Sequence, residues 1–164
     1  MSKSKPPAGA RADAPPSARA PSREGLQPKV LVVHDHPLHR ILADTVFAQF
    51  GCEVTLVESG EAALAACTTE AFVLIVLDRR MPGLGGDDVV QRLRAQDGPS
   101  RAAFVASCST DPPGELSAGY DTITPKPLTP SAAARLLEDA LRRSPMSSHL
   151  APIVLARGGR GSER

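Results

Sequence analysis

An apolar stretch of the chain ends in a single aspartate, Asp78, and a turn follows it at once in the segment VLIVLDRRMPGLGG (73–86). A carboxylate in such a place can act as a nucleophile toward a phosphoryl group and form an acyl phosphate. That chemistry needs Mg²⁺ to neutralise the phosphate oxygens and a compact positive charge, such as a lysine ammonium, beside the new phosphate. The alternative interpretation is an aspartate that only caps a helix or lies in a loop.

Three further polar side chains follow apolar segments elsewhere in the chain. His34 and Asp35 come directly after KVLVV (29–33), and Lys126 comes shortly after DTIT (121–124). In open parallel sheets, ligands bind beyond the carboxyl ends of the strands. If these segments are strands of one sheet, the three residues meet Asp78 in a single crevice, although a merely solvated lysine remains the alternative for Lys126.

The elements that must position these residues alternate in type along the chain. Continuous apolar, often β-branched segments predict five strands, over 29–33, 52–57, 72–77, 102–107 and 121–124. Helical periodicity with capping residues predicts helices over 37–50, 60–67, 87–95 and 130–143. Strands that alternate with helices form a parallel sheet, covered on both faces through right-handed crossovers.

The first of these helices shows its period most clearly. Five apolar residues recur at helical spacing and predict an amphipathic helix with one apolar face: Leu38, Ile41, Leu42, Val46 and Phe50. Ser59 and Thr129 are placed to cap the second and last helices.

Composition indicates one domain with an aliphatic core between two basic ends. The chain has 164 residues, of which 41% are hydrophobic and only 3% are aromatic. Residues 1–29 and 142–164 each carry a net charge of +4, whereas the region between them carries −7. Low apolar content predicts a disordered basic leader over 1–28 and a disordered tail over 144–164, on either side of a domain at 29–143.

Cysteine usage and hydropathy point to a cytoplasmic protein. Cys52, Cys67 and Cys108 lack the spacing of a metal site and predict reduced thiols. No apolar run approaches the roughly 18–20 residues that cross a bilayer, and the N-terminus lacks the apolar core of a secretory signal. The basic ends have no aromatic residues, so solvated tails are a simpler interpretation than nucleic-acid binding, which would be non-specific.

Three segments, VLVVHDHPLHR, VLIVLDRRMPGLGG and ITPKPL, together resemble the receiver domain of bacterial response regulators in their order and separation. The resemblance covers roughly residues 29–143, and HPLHR is most similar to receivers attached to hybrid histidine kinases. It implies an α/β, flavodoxin-like, doubly wound sheet of five parallel strands in the order 2-1-3-4-5. It also implies that Asp78 is the phosphoacceptor, loaded from a phosphohistidine on a histidine kinase or a histidine phosphotransfer protein.

The same resemblance assigns roles to the residues around Asp78. Asp35 corresponds to the second residue of the family's acidic pair, which is generally a direct Mg²⁺ ligand. Asp78 itself and the backbone carbonyl of Arg80 correspond to further ligands. Lys126 corresponds to the phosphate-contacting lysine, and the bond between Lys126 and Pro127 is cis in the family.

The acidic pair is the first place where the sequence departs from the family's pattern. His34 stands where the first acid is expected, and imidazole is a poor ligand for Mg²⁺ because it prefers softer metals. Three interpretations of His34 stay open: an atypical metal ligand, a pH-sensitive group or an inert replacement. We expect Mg²⁺ to bind weakly.

The other departures lie between the fourth strand and the last helix. Cys108 occupies the switch position where the family has Ser or Thr, unless the register slips by one to Ser107 or Ser109, and a thiol is a weak hydrogen-bond partner. Ile123 stands where the family has a switch aromatic, and Tyr120 is not placed to replace it. The segment STDPPGELSA (109–118) contains two prolines and a glycine that oppose a helix, so the family's fourth helix is expected to be truncated.

Two functions from different classes follow. One is a stand-alone receiver in a two-component phosphorelay that accepts a phosphoryl group on Asp78 with Mg²⁺. The other is a degenerate receiver that acts as a protein-interaction module independent of phosphorylation. A phosphatase-like enzyme would need a second acid two positions after Asp78, where Arg80 stands, so no enzyme activity is expected. The cognate kinase and the oligomeric state stay open.

Overall fold

The computed structural model describes residues 27–110 and 114–144 and contains five strands and four helices in those ranges. In chain order the elements are β1 (Lys29–Val33), α1 (Pro37–Gln49), β2 (Glu53–Val57), α2 (Gly60–Thr69), β3 (Leu74–Asp78), α3 (Gly86–Ala95), β4 (Phe104–Ser109), β5 (Thr122–Pro125) and α4 (Pro130–Arg143). The predicted leader and tail fall outside the described residues, apart from their edges at 27, 28 and 144. Within the described ranges, no helix is long and apolar enough to cross a membrane.

The five strands form one parallel sheet in the order β2-β1-β3-β4-β5, which confirms the predicted topology. The order reverses between β1 and β3, and this is the point at which an open α/β sheet leaves a crevice beyond its strand ends. No helix lies between β4 and β5 in the part of that connection that the structure describes (114–121), as the proline-rich segment predicted.

Two apolar layers hold the helices against the sheet. On one face, α1 and α4 pack over alternate residues of the central strands, with Phe47 and Leu137 fully buried. On the other face, α2 and α3 cover the intervening residues, and Val90 and Tyr120 lie in that layer. The central strands are therefore apolar on both sides, which explains their continuous hydrophobic sequence.

The helix starts follow local capping chemistry. Oγ of Ser59 accepts a hydrogen bond from the backbone N–H of Ala62, and Oγ1 of Thr129 accepts one from Ala132, so both predicted caps are confirmed. The cap of α1 is His36, whose Nδ1 accepts from the backbone N–H of Leu38 at 3.2 Å. Sequence inspection did not single out this histidine as a cap.

The predicted apolar face of α1 is only partly correct. The helix buries Ala43, Val46 and Phe47, and Phe50 at its C-terminal cap is buried as well. Leu38, Ile41 and Leu42, by contrast, are 62%, 58% and 47% exposed. The helix begins at the carboxyl edge of the sheet, so its first turns extend past the layer that could cover them.

Two strands begin two residues later than predicted. β3 was predicted over 72–77, but the N–H of Phe72 donates to Oγ of Ser100 at 3.0 Å, so the ladder starts only at Leu74. β4 was predicted over 102–107, but Ala103 donates to the carbonyl of Ser100 in a turn and the strand runs from Phe104 to Ser109. Both strands therefore carry polar residues to the carboxyl edge, beyond their apolar runs.

A close approach of α3 to β3 makes Gly86 sensitive to substitution. A Cβ at Gly86 would lie 2.5 Å from the carbonyl oxygen of Asp78 and 2.7 Å from the hydroxyl of Tyr120. We expect Gly86→Ala to lower the free energy of unfolding by about 1–3 kcal/mol, because backbone must move to admit the methyl group. Urea unfolding would measure the loss. Gly98→Ala is the matched control, since its Cβ would meet the carbonyl of Cys67 at an ordinary 3.5 Å. Equal losses in both variants would contradict the packing argument.

Candidate functional site

The residues singled out from the sequence lie together at the carboxyl edge of the sheet. Asp78 is the last residue of β3 and is only 2% exposed. His34 and Asp35 follow β1, and Lys126 follows β5. The Lys126–Pro127 bond is cis. Three strand ends thus deliver two carboxylates, an imidazole and an ammonium group to one crevice, as the carboxyl-edge rule predicts.

The two oxygens of Asp78 have different surroundings. Oδ1 lies 2.6 Å from Nζ of Lys126 and accepts a hydrogen bond from the backbone N–H of Arg80 at 3.2 Å. Oδ2 faces Nδ1 of His34 at 3.5 Å, which is long for a hydrogen bond. The lysine therefore neutralises one side of the carboxylate and leaves the other side directed at His34.

The imidazole of His34 is held from both of its nitrogens. Nδ1 accepts from the backbone N–H of His36 at 3.0 Å, so this nitrogen carries a lone pair. Nε2 lies 2.7 Å from Nδ1 of His39 and must donate its hydrogen there. Burial lowers the pKa of His34, which outweighs the raising effect of Asp78 and favours this neutral form.

Asp35 completes the group at Nδ1 of His34. Its Oδ1 lies 3.1 Å from that nitrogen. The guanidinium of Arg40 donates to the backbone carbonyls of His34 at 2.7 Å and Asp35 at 3.1 Å, which fixes the turn between β1 and α1. His39 and Arg40 were not singled out from the sequence, although their signal was present in the segment HPLHR.

Cys108 lies beside Asp78 in the sheet. The β3–β4 ladder pairs Asp78 with Cys108, whereas Ser107 pairs with Leu77. Burial raises the pKa of the Cys108 thiol to about 11, while nearby Lys126 lowers it and Asp78 raises it further. A neutral thiol thus occupies the position opposite the buried carboxylate, and a thiol donates only weakly.

The aromatic residue near this edge belongs to the core. Tyr120 is buried in the layer under α3, and its pKa is raised by burial and next by the charge of Asp87. Ile123 is half-buried in β5. The two side chains occupy different places, in line with the expectation that Tyr120 does not replace an aromatic at position 123.

A polar contact that the sequence did not reveal connects the site to the segment before β5. Nη2 of Arg79 lies 3.3 Å from Oδ2 of Asp87 and donates to Oγ of Ser117 at 3.0 Å. Arg79 directly follows Asp78, so the backbone after the buried carboxylate is tied to both α3 and the β4–β5 connection. Sequence inspection did not predict this pairing.

One group of side chains in the described ranges has the arrangement of a cation site. Nδ1 of His34 and one carboxylate oxygen each from Asp35 and Asp78 all lie within 4.8 Å of one another. The two carboxylates are oxygen donors of the kind that suits Mg²⁺. The imidazole does not suit Mg²⁺, so the donor set fits that ion only in part.

The arrangement is equipped for phosphoryl chemistry. The carboxylate of Asp78 supplies a nucleophile, and Lys126 supplies a positive charge at contact distance. Residue 80, where a phosphatase-like enzyme would carry its second acid, is an arginine.

Comparisons with known proteins agree with this geometry. A family model described as the response regulator receiver domain matches residues 30–138. The chain is 30% identical to sensor protein GacS of Pseudomonas syringae pv. syringae over 87% of its own length, and 32% identical to virulence sensor protein BvgS of Bordetella pertussis over the same share. It spans only 18% and 12% of the lengths of those two relatives.

A solved structure shows the same fold. The receiver domain of sensor histidine kinase PA1611 from Pseudomonas aeruginosa PAO1, which has a magnesium ion coordinated in its active-site cleft, superposes with a TM-score of 0.64 at 24% identity. The match covers 69% of this chain and 96% of that domain.

Proposed function

Because the chain belongs to the family of response regulator receiver domains, we propose that it accepts a phosphoryl group on Asp78 from a phosphohistidine. A single observation carries this proposal: the buried carboxylate at the end of β3 lies 2.6 Å from Nζ of Lys126. A carboxylate that only capped a helix would not require a lysine ammonium group in contact with it at the edge of the sheet.

The proposed transfer exchanges one bond for another. A carboxylate oxygen of Asp78 attacks phosphorus, the P–N bond to the donor imidazole breaks, and a P–O bond to Asp78 forms. The departing imidazole nitrogen keeps the electron pair and takes a proton from solvent. Lys126 and the backbone N–H of Arg80, which both contact Oδ1 now, are placed to contact oxygens of the new acyl phosphate.

Asp35, Asp78 and the backbone carbonyl of Arg80 are the groups that would hold Mg²⁺. The bound cation would neutralise charge on the phosphoryl oxygens. The magnesium ion in the PA1611 receiver supports this assignment by likeness of fold. Because imidazole is a poor ligand for Mg²⁺, His34 supports the prediction from the sequence that Mg²⁺ binds weakly here.

The partner that we propose is a histidine kinase or a histidine phosphotransfer protein in the cytoplasm. The exposed apolar side chains Leu38, Ile41 and Leu42 lie on the part of α1 next to the crevice, and Leu42 lines the same cleft as His34 and Lys126. A docking partner would cover them and place its phosphohistidine over Asp78. The stand-alone arrangement and the domain bounds of 29–143 stay predictions, as does the absence of nucleic-acid binding.

Two observations favour a second candidate function, a receiver-like module that binds partners without phosphorylation. The residue paired with Asp78 in the sheet is Cys108, whose buried thiol is a weak donor, and the acidic pair has lost one oxygen ligand to His34. A chain with these changes can keep its docking surfaces while it loses the response to phosphate.

Intact-mass spectrometry separates the two candidates. The full chain is incubated with acetyl phosphate and either Mg²⁺ or Mn²⁺, alongside Asp78→Asn and the control Asp88→Asn, an exposed acid on α3. We expect a hydroxylamine-labile gain of one phosphoryl group in the wild type and in Asp88→Asn, and none in Asp78→Asn. No gain in the wild type with either metal would favour the second candidate, and a gain in Asp78→Asn would rule out Asp78 as the acceptor.

A further inference from the structure

Nδ1 of His34 lies beside two carboxylates. Nδ1 lies 3.1 Å from Oδ1 of Asp35 and 3.5 Å from Oδ2 of Asp78. It already accepts from the backbone N–H of His36, so it has no hydrogen to offer either carboxylate. The two carboxylates therefore gain no compensating hydrogen from His34, and a cation among the three atoms, which all lie within 4.8 Å of one another, would remove their mutual repulsion.

The separations suit a single ion. Two ligand atoms bound at right angles to one first-row divalent cation, at about 2.1 Å each, lie about 3 Å apart. The measured separations of 3.1 and 3.5 Å from Nδ1 of His34 are close to this value. Oδ2 of Asp78 is also the oxygen that Lys126 does not hold, so cation and lysine do not compete for one atom.

The donor types decide which cation fits. Mg²⁺ takes oxygen ligands almost exclusively, whereas imidazole suits first-row transition metals. We propose that His34, Asp35 and Asp78 form a mixed nitrogen–oxygen site that takes a first-row transition-metal dication such as Co²⁺, Fe²⁺ or Mn²⁺ in preference to Mg²⁺. The His34 replacement thereby changes the metal of the site.

The surroundings of His34 support a ligand role. A metal-binding histidine commonly donates its other ring N–H to a neighbour, which fixes the tautomer and the ring orientation. Here Nε2 of His34 donates to Nδ1 of His39 at 2.7 Å, and Arg40 holds the backbone carbonyl of His34. His39 is therefore a positioning residue. Binding requires Nδ1 of His34 to give up its contact with the backbone N–H of His36, which is an exposed residue.

The role of the metal rests on the proposed function, because the metal would bind beside the phosphoryl group on Asp78. Metal binding itself does not depend on that function. It is tested without any phosphoryl donor. The untagged full chain is titrated with Co²⁺ under reducing conditions, and binding is followed by the visible absorption of the bound ion. Mg²⁺ and Mn²⁺ are then added as competitors.

We expect Co²⁺ to stay bound in a roughly 100-fold excess of Mg²⁺ and to be displaced far more readily by Mn²⁺. In His34→Asp the preference for Co²⁺ over Mg²⁺ should fall by about tenfold or more. His39→Phe should weaken the binding of Co²⁺ but not that of Mg²⁺. His36→Asn is the control, because it removes a neighbouring imidazole and keeps a capping side chain. Cys108→Ser should keep the full Co²⁺ signal.

Three results would overturn the inference. They are an unchanged preference in His34→Asp, full Co²⁺ binding in His34→Ala, and a Co²⁺ signal lost in Cys108→Ser. A failure of phosphoryl transfer is a separate result, because it appears as an absent mass gain with every metal while the Co²⁺ spectrum is unaffected.

Discussion

Replacing Lys126 with methionine should lower the free energy of unfolding by about 3 kcal/mol, because removal of one partner of a buried ion pair leaves an uncompensated charge. The side chain of Asp78 is 2% exposed and that of Lys126 is 14% exposed, so water cannot take over the role of the lysine. Methionine has a similar length and fills the same space, so the loss reports on charge rather than on volume. Urea unfolding in the presence of a chelator is the measurement, since a bound cation would mask the effect.

The double variant makes this prediction specific. Adding Asp78→Asn to Lys126→Met removes the orphaned charge and should recover most of the lost stability. Asp78→Asn alone should cost less than Lys126→Met, because the lysine can extend its ammonium group toward solvent whereas the aspartate at the end of β3 cannot move. Additive losses in the double variant would mean that the 2.6 Å contact contributes no coupling.

The location of the site could be predicted because it depends only on which segments of the chain form strands. β1 and β3 are continuous apolar runs, and the polar residue that ends such a run must lie at the sheet's edge. His34, Asp35 and Asp78 were therefore placed together correctly, and Lys126 joined them once β5 was recognised from four residues. None of these placements requires side-chain detail.

The contacts within the site depend on features that periodicity does not carry. Whether His34 meets His39 is decided by the tight turn that Arg40 holds and by the direction of one ring. The exposure of Leu38 and Ile41 depends on where the edge of the sheet lies relative to α1, which a 3.6-residue period cannot show. β4 was misplaced because Ser-Cys-Ser is a weak strand sequence that extends only through its pairing with β3 and β5.

The departures from the family pattern are concentrated in two places that act on different steps. His34 lies beside the carboxylate of Asp35, and Cys108 pairs with Asp78 from the neighbouring strand. The contacts of Arg79 with Asp87 and Ser117 offer a separate connection from the backbone after Asp78 to the β4–β5 segment. Under the proposed function, phosphorylation of Asp78 and the response to it can therefore be impaired independently.

Replacing His34 with aspartate should raise the rate of acyl phosphate formation with acetyl phosphate and Mg²⁺ by about 10–100-fold, the range by which metal affinity responds to changes around a ligand. The substitution supplies a third carboxylate next to Asp35 and Asp78, and oxygen donors suit Mg²⁺. With Mn²⁺ the same variant should change little, since Mn²⁺ accepts both donor types. Quenched-flow sampling with intact-mass detection gives both rates.

The two metals together identify the cause of any gain. A rise with Mg²⁺ alone means that the chain keeps a competent nucleophile whose usual cation was excluded by one imidazole. An equal rise with both metals would instead mean that His34 obstructs Asp78 directly, through the 3.5 Å approach of its Nδ1 to Oδ2. Cys108→Thr is the matched comparison, because it adds a hydroxyl beside Asp78 without changing the cation donors, and it should leave the ratio of the Mg²⁺ and Mn²⁺ rates unchanged.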